Sequence, residues 1–225
     1  MKRWAKVNIR GYFRNGMTKF KNLIFDIGDV IIDIDYLVTI GEFQKLAAVD
    51  FTEIVSYSKQ HHIFDLFETG KITAQDFRNE LKRFLKPNVS DDEITRAWNS
   101  ILIHYPERKF ALLNTVKSKY SIFALSNINE IHVDAINATA REKLGVEEFG
   151  DFFHRAYYSN EIGFRKPEKE IYEFILAKEN LNANETFFVD DKAENVEAAK
   201  QLGIHAYQLK DRNQLHQLLL DLKIL

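Results

Sequence analysis

The sequence predicts an α/β protein: a parallel sheet covered by helices on both faces, broken by one inserted helical segment. Three observations lead there. Short apolar runs recur along the chain, and the most marked of them end in polar residues; helical patterns lie between them. The first two runs end at Asp26 and Ser126, 100 positions apart. A strand-helix-strand unit needs only about 30 residues, so the excess must hold structure of its own.

Residues 22–27 are apolar at consecutive positions, as a central strand buried on both faces requires. They end at Asp26, with Gly28 close behind. Asp and Gly are both turn formers, so this stretch alone is also compatible with a plain strand-ending turn. Residues 120–125 form the next run and lead into Ser126-Asn127. A weaker run covers 154–159, a strong one covers 185–189 and ends in Asp190-Asp191, and a fifth covers 205–209. Helical periodicity marks 107–118, 167–179, 193–202 and 212–222. The whole reads as a three-layer, Rossmann-like core. Ligands of such sheets bind outside the carboxyl ends of the strands. Asp26, Ser126-Asn127 and Asp190-Asp191 are therefore expected to converge on one crevice.

The insertion reads as helical throughout. Apolar residues recur at helical intervals over 41–49, 51–59, 74–85 and 91–103, with Thr73 and Ser90 as N-caps. The segment 68–73 reads as a turn, and Pro87 and Pro106 as punctuation. The expected division is a basic extension at 1–19, a core made of 20–35 and 107–225, and a helical cap at 36–106.

Composition narrows the function classes. The chain has 225 residues, 45% hydrophobic and 28% charged, with 18 Phe and no Cys. A disulfide framework and a thiolate metal site are thus excluded, and a reducing, cytoplasmic setting is the expectation. No apolar run approaches the roughly 20 residues of a membrane span. The first 16 residues carry five cations, no acid and no signal-like apolar segment; Met17 reads as a more natural start. Without those cations, 26 basic residues face 33 acidic ones, a net charge of −7. Such a body gives no support for nucleic-acid binding. Nothing in the sequence indicates an oligomeric state.

Four motifs, in order, carry a resemblance over about residues 20–210. They are Phe25-Asp26-Ile27-Gly28-Asp29-Val30, Leu125-Ser126-Asn127, Gly163-Phe164-Arg165-Lys166-Pro167, and the stretch from Phe188 through Asp190-Asp191 to Asn195. The chain resembles the haloacid dehalogenase superfamily, in the subgroup with a helical cap after the first motif. Its Asp-x-Gly first motif is similar to the branch that contains α-D-glucose-1-phosphate phosphatase. The resemblance implies a Mg²⁺-dependent phosphatase of a small phosphorylated metabolite, a sugar phosphate being one such substrate. It implies Asp26 as the nucleophile that becomes an aspartyl-phosphate. Asp26, the Gly28 carbonyl and Asp191 are the implied metal ligands, with Asp190 as a further ligand or a support beside them. Lys166 is implied to balance the nucleophile and phosphoryl charges, and Ser126 and the amide of Asn127 to bind phosphoryl oxygens.

Structural roles stand beside these. Asp190-Asp191 and Ser126-Asn127 could cap the helices that follow, and Lys166 could be a loop lysine. His61 and His62 read as core or surface residues, and Phe67 and Trp98 as cap core. Two departures matter. Many relatives carry a general acid two positions after the nucleophile, and here that position is Gly28. Loss of such an acid costs about 10²–10⁴-fold in rate. Three outcomes follow: the subgroup works without that acid, Asp29 either points elsewhere or substitutes in part, or the protein binds phosphate without turnover, which is the alternative function. Asn195 stands where many relatives have a carboxylate, which is expected to weaken a metal contact or its support.

Overall fold

The computed structural model describes residues 20–50, 54–55, 58 and 61–225, together with the backbone of 13–14 and 17–18. Apart from that short backbone pairing, the basic extension at 1–19 lies outside the described residues, as does most of the expected helix at 51–59.

Five parallel strands form the main sheet. They are β1 (Asn22–Phe25), then, after a short two-residue strand β2 (Asp33–Ile34) and the insertion, β4 (Ser121–Ser126), β5 (Arg155–Tyr158), β6 (Thr186–Asp190) and β7 (His205–Gln208). Their spatial order is β5-β4-β1-β6-β7, with Phe25 level with Ala124 on one side and Val189 on the other. The expected strands are all present. Side chains along them alternate between two buried clusters. Leu23, Phe25, Ala124, Phe187 and Val189 face one layer. Ile24, Phe123, Leu125 and Phe188 face the other, against Ile171, Tyr172 and Val196. Both faces are dry, which is why these strands read as unbroken apolar runs.

The insertion contains α1 (Tyr36–Leu46), α2 (Ile63–Glu68), α3 (Ala74–Lys82) and α4 (Asp91–Asn99). Thr73 and Ser90 do cap α3 and α4, each in a reciprocal capping box with Asp76 or Glu93. Helix α4 stops at Asn99, short of the expected 103. Residues Leu102–His104 instead form a strand, β3, that pairs antiparallel with β2 and closes the base of the insertion. Phe43, Phe67, Phe77, Leu81 and Ile94 make a separate core for these helices. Phe67 stacks on Phe77 with ring centroids 4.3 Å apart.

The longer of the remaining helices are α5 (Glu107–Lys117), α6 (Glu130–Thr139), α7 (Lys169–Lys178), α8 (Ala193–Gln201) and α9 (Leu215–Asp221). Helix α6 is absent from the sequence-based expectation. Its N-cap is Asn129, whose Oδ1 accepts the His132 N–H at 3.1 Å, so Ser126-Asn127 is not the cap. Ile131 of α6 joins the core of the insertion, and Gly70 packs so tightly on the Asn160 carbonyl that a Cβ there would collide with it. No helix among the described residues is long and apolar enough to cross a membrane.

Candidate active site

Strands β4, β1 and β6 are neighbours, so their carboxyl ends deliver Ser126, Asp26 and Asp190 side by side. Asp26 extends the ladder by donating its N–H to the Val189 carbonyl at 2.9 Å. Immediately afterwards the chain turns: the Ile31 and Ile32 N–H groups both return to the Ile27 carbonyl. The turn fixes the Asp26 side chain at the sheet edge, where its Oδ1 accepts the Ile27 N–H at 2.8 Å.

Lys166 comes from the loop after β5 and is 2% exposed. Its Nζ lies 2.8 Å from Asp26 Oδ1 and 2.7 Å from Asp190 Oδ2, with the Phe188 ring beneath it. Asn127 holds that loop by its backbone. Asn127 Nδ2 donates to the Lys166 carbonyl and Asn127 Oδ1 accepts the Lys166 N–H, both at 2.8 Å. The Asn127 side chain is therefore engaged in placing Lys166, which leaves its main-chain amide as the phosphate-facing group in the expected scheme.

Asp190 is fully buried and both of its oxygens are engaged. Oδ1 accepts from the Lys192 N–H and Asn195 Nδ2; Oδ2 accepts from Asn195 Nδ2 and Lys166. The carboxylate thus orients Lys166. Asn195 supports this arrangement as a donor, its Nδ2 reaching both Asp190 oxygens at 2.9 and 3.0 Å, a role that a carboxylate in its place could not fill. The helix-cap alternative for Asp190-Asp191 reduces to one hydrogen bond, from the Lys192 N–H to Asp190.

Oxygens of Asp26, Asp190 and Asp191 lie within 4.8 Å of one another. Burial, with the neighbouring carboxylates, pushes Asp191 up to about 6. Asp26 is also raised, by burial first, against the opposing pull of Lys166. Burial alone would depress Lys166, but Asp190 and Asp26 outweigh it and hold the ammonium charged. Three carboxylates with hard oxygen donors, against the two lysines beside them, Lys166 and Lys192, leave a negative charge that suits a divalent cation such as Mg²⁺. A small cavity of about 50 Å³ joins Asp26, Gly28, Ser126, Lys166 and Asp191.

The profile of the haloacid dehalogenase-like hydrolases matches residues 20–203. The chain belongs to that family. Within it, the chain is 29% identical to the D-ribitol-5-phosphate phosphatase of Bacteroides thetaiotaomicron, over 84% of this chain and 91% of that one. It is 28% identical to a sesquiterpene phosphatase of Aspergillus oryzae, over 86% and 92%. A haloacid dehalogenase family enzyme of Bacteroides thetaiotaomicron, solved in complex with magnesium and inorganic phosphate, superposes with a TM-score of 0.75 at 34% identity, covering 84% of this chain and 93% of that one. As a haloacid dehalogenase-like protein the chain is a hydrolase.

Other expected residues fall elsewhere. Asp29 does not line the cavity: its Oδ1 sits 3.1 Å from Arg212 and accepts the Ile34 N–H at 3.1 Å. His61 and His62 are exposed on the insertion. Trp98 does more than fill the cap core, because it also stacks on His132 at 5.2 Å and its Nε1–H donates to Asn129. Sequence reading passed over Arg165, which pairs with Asp65 and, at 2.8 Å, with Glu68 of α2. Its position beside Lys166 in the third motif is the signal that could have found it.

Proposed function

We propose that the chain hydrolyses phosphomonoesters of a small phosphorylated metabolite, with Asp26 as the nucleophile and Mg²⁺ as the cofactor. The observation that carries this reading is Lys166 bridging Asp26 and Asp190, with Asp191 alongside. An isolated carboxylate beside a phosphate dianion would be repelled. Here the ammonium stands between two carboxylates and lowers that repulsion without removing the nucleophile's free oxygen.

Asp26 Oδ2 bonds to phosphorus as the ester P–O bond breaks and the alkoxide leaves, taking its proton from water; a water then attacks the phosphorus of the aspartyl-phosphate, which releases inorganic phosphate and regenerates the Asp26 carboxylate. Ser126 and the Asn127 main-chain amide support the phosphoryl oxygens. Asp26, Asp191 and the Gly28 carbonyl are the residues that would hold Mg²⁺, with Asp190 behind them. The cation supplies charge neutralisation at the phosphoryl group. Residues 36–106 act as the cap, and with Gly28 at the usual place of the acid and Asp29 paired to Arg212, the site has no side-chain acid there. The Asp-x-Gly first motif supports a placement near the sugar-phosphate phosphatases.

That last feature favours a second reading, phosphate binding without turnover. One assay separates the two. Purified protein with Mg²⁺ should release phosphate from some members of a broad phosphomonoester panel, and Asp26→Asn should abolish release. Absence of release from every ester, with phosphate still bound, would leave the binding reading in its place.

A further inference from the structure

Gly28, Ile34, Tyr36, Ser126 and Asn127 line the phosphate cavity, and the same five residues line a second cavity of about 120 Å³ between the insertion and the sheet. An ester whose phosphoryl group sits against Asp26 passes its bridging oxygen along this shared wall. Two of the five residues carry a side-chain hydroxyl. Ser126 ends β4 and is buried, and its hydroxyl is the one placed on the phosphoryl oxygens above. Tyr36 is the other. It opens α1 directly after Asp35, which caps that helix by accepting the Leu37 N–H at 2.8 Å. Ile34 stands 3.0 Å from where a Gly28 Cβ would be, so the side chain that crowds out an acid at position 28 lies two residues before the phenol. Among the described residues none hydrogen-bonds the Tyr36 hydroxyl. The Lys192 ammonium acts on the phenol more strongly than any other charge, and Lys192 lines the phosphate cavity as well. The residue is 55% exposed, but what burial it has raises the phenol above its ordinary 10, so it keeps its proton through the neutral range.

We infer that Tyr36 is a catalytic residue, and that the proton which the leaving alkoxide draws from water passes through its hydroxyl, in place of the acid missing at Gly28. The inference rests on the phosphatase reading. As Asp26 bonds to phosphorus and the ester P–O bond breaks, the Tyr36 hydroxyl gives its proton to the leaving oxygen and an alcohol departs. The transfer is favourable, because an aliphatic alkoxide is a far stronger base than a phenolate. The phenolate that remains is held by the charge of Lys192. When water attacks the aspartyl-phosphate, the phenolate takes the proton that this water loses. Inorganic phosphate leaves, and both the Asp26 carboxylate and the Tyr36 hydroxyl are restored, so no proton is left over.

The test removes only the hydroxyl and varies how much the leaving group needs a proton. With Mg²⁺, wild-type protein and Tyr36→Phe are compared on n-butyl phosphate, whose alkoxide must be protonated, and on 2,4-dinitrophenyl phosphate, whose phenolate leaves unaided. The ratio kcat/KM is read because it ends at loss of the alcohol. Tyr36→Phe should lower kcat/KM for the butyl ester at least 100-fold relative to the dinitrophenyl ester. Inhibition by inorganic phosphate should stay within twofold of wild type, which reports an intact phosphate site. Equal losses on the two esters, or no loss on either, overturn the inference and leave the phosphatase reading standing. Equal losses with weakened phosphate inhibition assign the phenol to phosphate binding, which overturns it too. Release of phosphate from neither ester by the wild-type protein removes the phosphatase reading and this inference together.

Discussion

Asp29 is paired with Arg212, its Oδ1 lying 3.1 Å from the guanidinium, and the same oxygen accepts the Ile34 N–H. The residue sits at φ 53°, a left-handed turn position that Asp and Asn tolerate. The carboxylate nearest in sequence to the missing acid is therefore a turn anchor, and a side chain at Gly28 would press on Ile34, whose Cδ1 stands 3.0 Å from where a Cβ would be. Asp29→Asn keeps the turn and the Ile34 contact and removes only the charge. Turnover should stay within about twofold of wild type, whereas loss of a general acid costs about 10²-fold or more. A steady-state comparison of the two proteins decides it.

Lys166 is the only cation in contact with Asp26 and Asp190 among the described residues, and all three are buried. Lys166→Met would strand two carboxylates in the interior. Breaking a buried pair in this way costs about 3–5 kcal/mol, and activity should vanish with it. The pH dependence distinguishes charge from packing. Asp26 already has its protonation favoured by burial, and without Lys166 that tendency grows. A carboxyl group raised in the folded state contributes stability at low pH that is lost as pH rises through its folded value. The deficit of the variant, measured by urea unfolding, should therefore narrow as pH is lowered and Asp26 takes up its proton. A deficit that is flat with pH would point to lost packing instead.

Much of the core was legible because a doubly covered parallel strand has a simple signature. Leu23-Ile24-Phe25 and Phe187-Phe188-Val189 are apolar at every position since each face of the sheet meets a buried layer. Helix α6 escaped because its start carries Asn129 and His132, polar residues buried against Trp98, which break the apolar period. The β2–β3 pair is two or three residues long, too short for alternation to register. At the site, the residues at strand ends were readable one by one, but their partnerships were not. Asn195 reads as a lost carboxylate in sequence and becomes a double donor only when Asp190 is placed beside it.

Arg165 ties the insertion to the loop that carries Lys166, through Asp65 and Glu68 of α2. Both bridges are partly exposed, so together they hold the insertion against that loop by about 1–2 kcal/mol. Arg165→Ala should lower kcat/KM about tenfold while leaving the melting temperature nearly unchanged. The Asp65→Asn, Glu68→Gln double variant should reproduce the loss, and adding it to Arg165→Ala should produce little further effect. Additive losses would show that Arg165 acts through something other than these two carboxylates.

Asp191 gives the clearest pH signature of the proposed metal site. Without a cation, burial and the carboxylates of Asp26 and Asp190 hold it near 6, against an ordinary value of 3.8. Its folded value is raised, so its contribution to stability is complete below about 3.8 and is lost as pH climbs to about 6. Allowing for solvent screening of a half-buried group, that swing is about 1 kcal/mol, and Asp191→Asn should remove it. Binding of Mg²⁺ requires the ionised carboxylate, so the cation must compete with a proton below pH 6. Added Mg²⁺ should therefore raise the melting temperature at pH 7.5, do so progressively less towards pH 5, and have little effect on Asp191→Asn at either pH. A Mg²⁺-induced shift that is independent of pH and survives in Asp191→Asn would place the cation elsewhere and remove Asp191 from the proposed metal site.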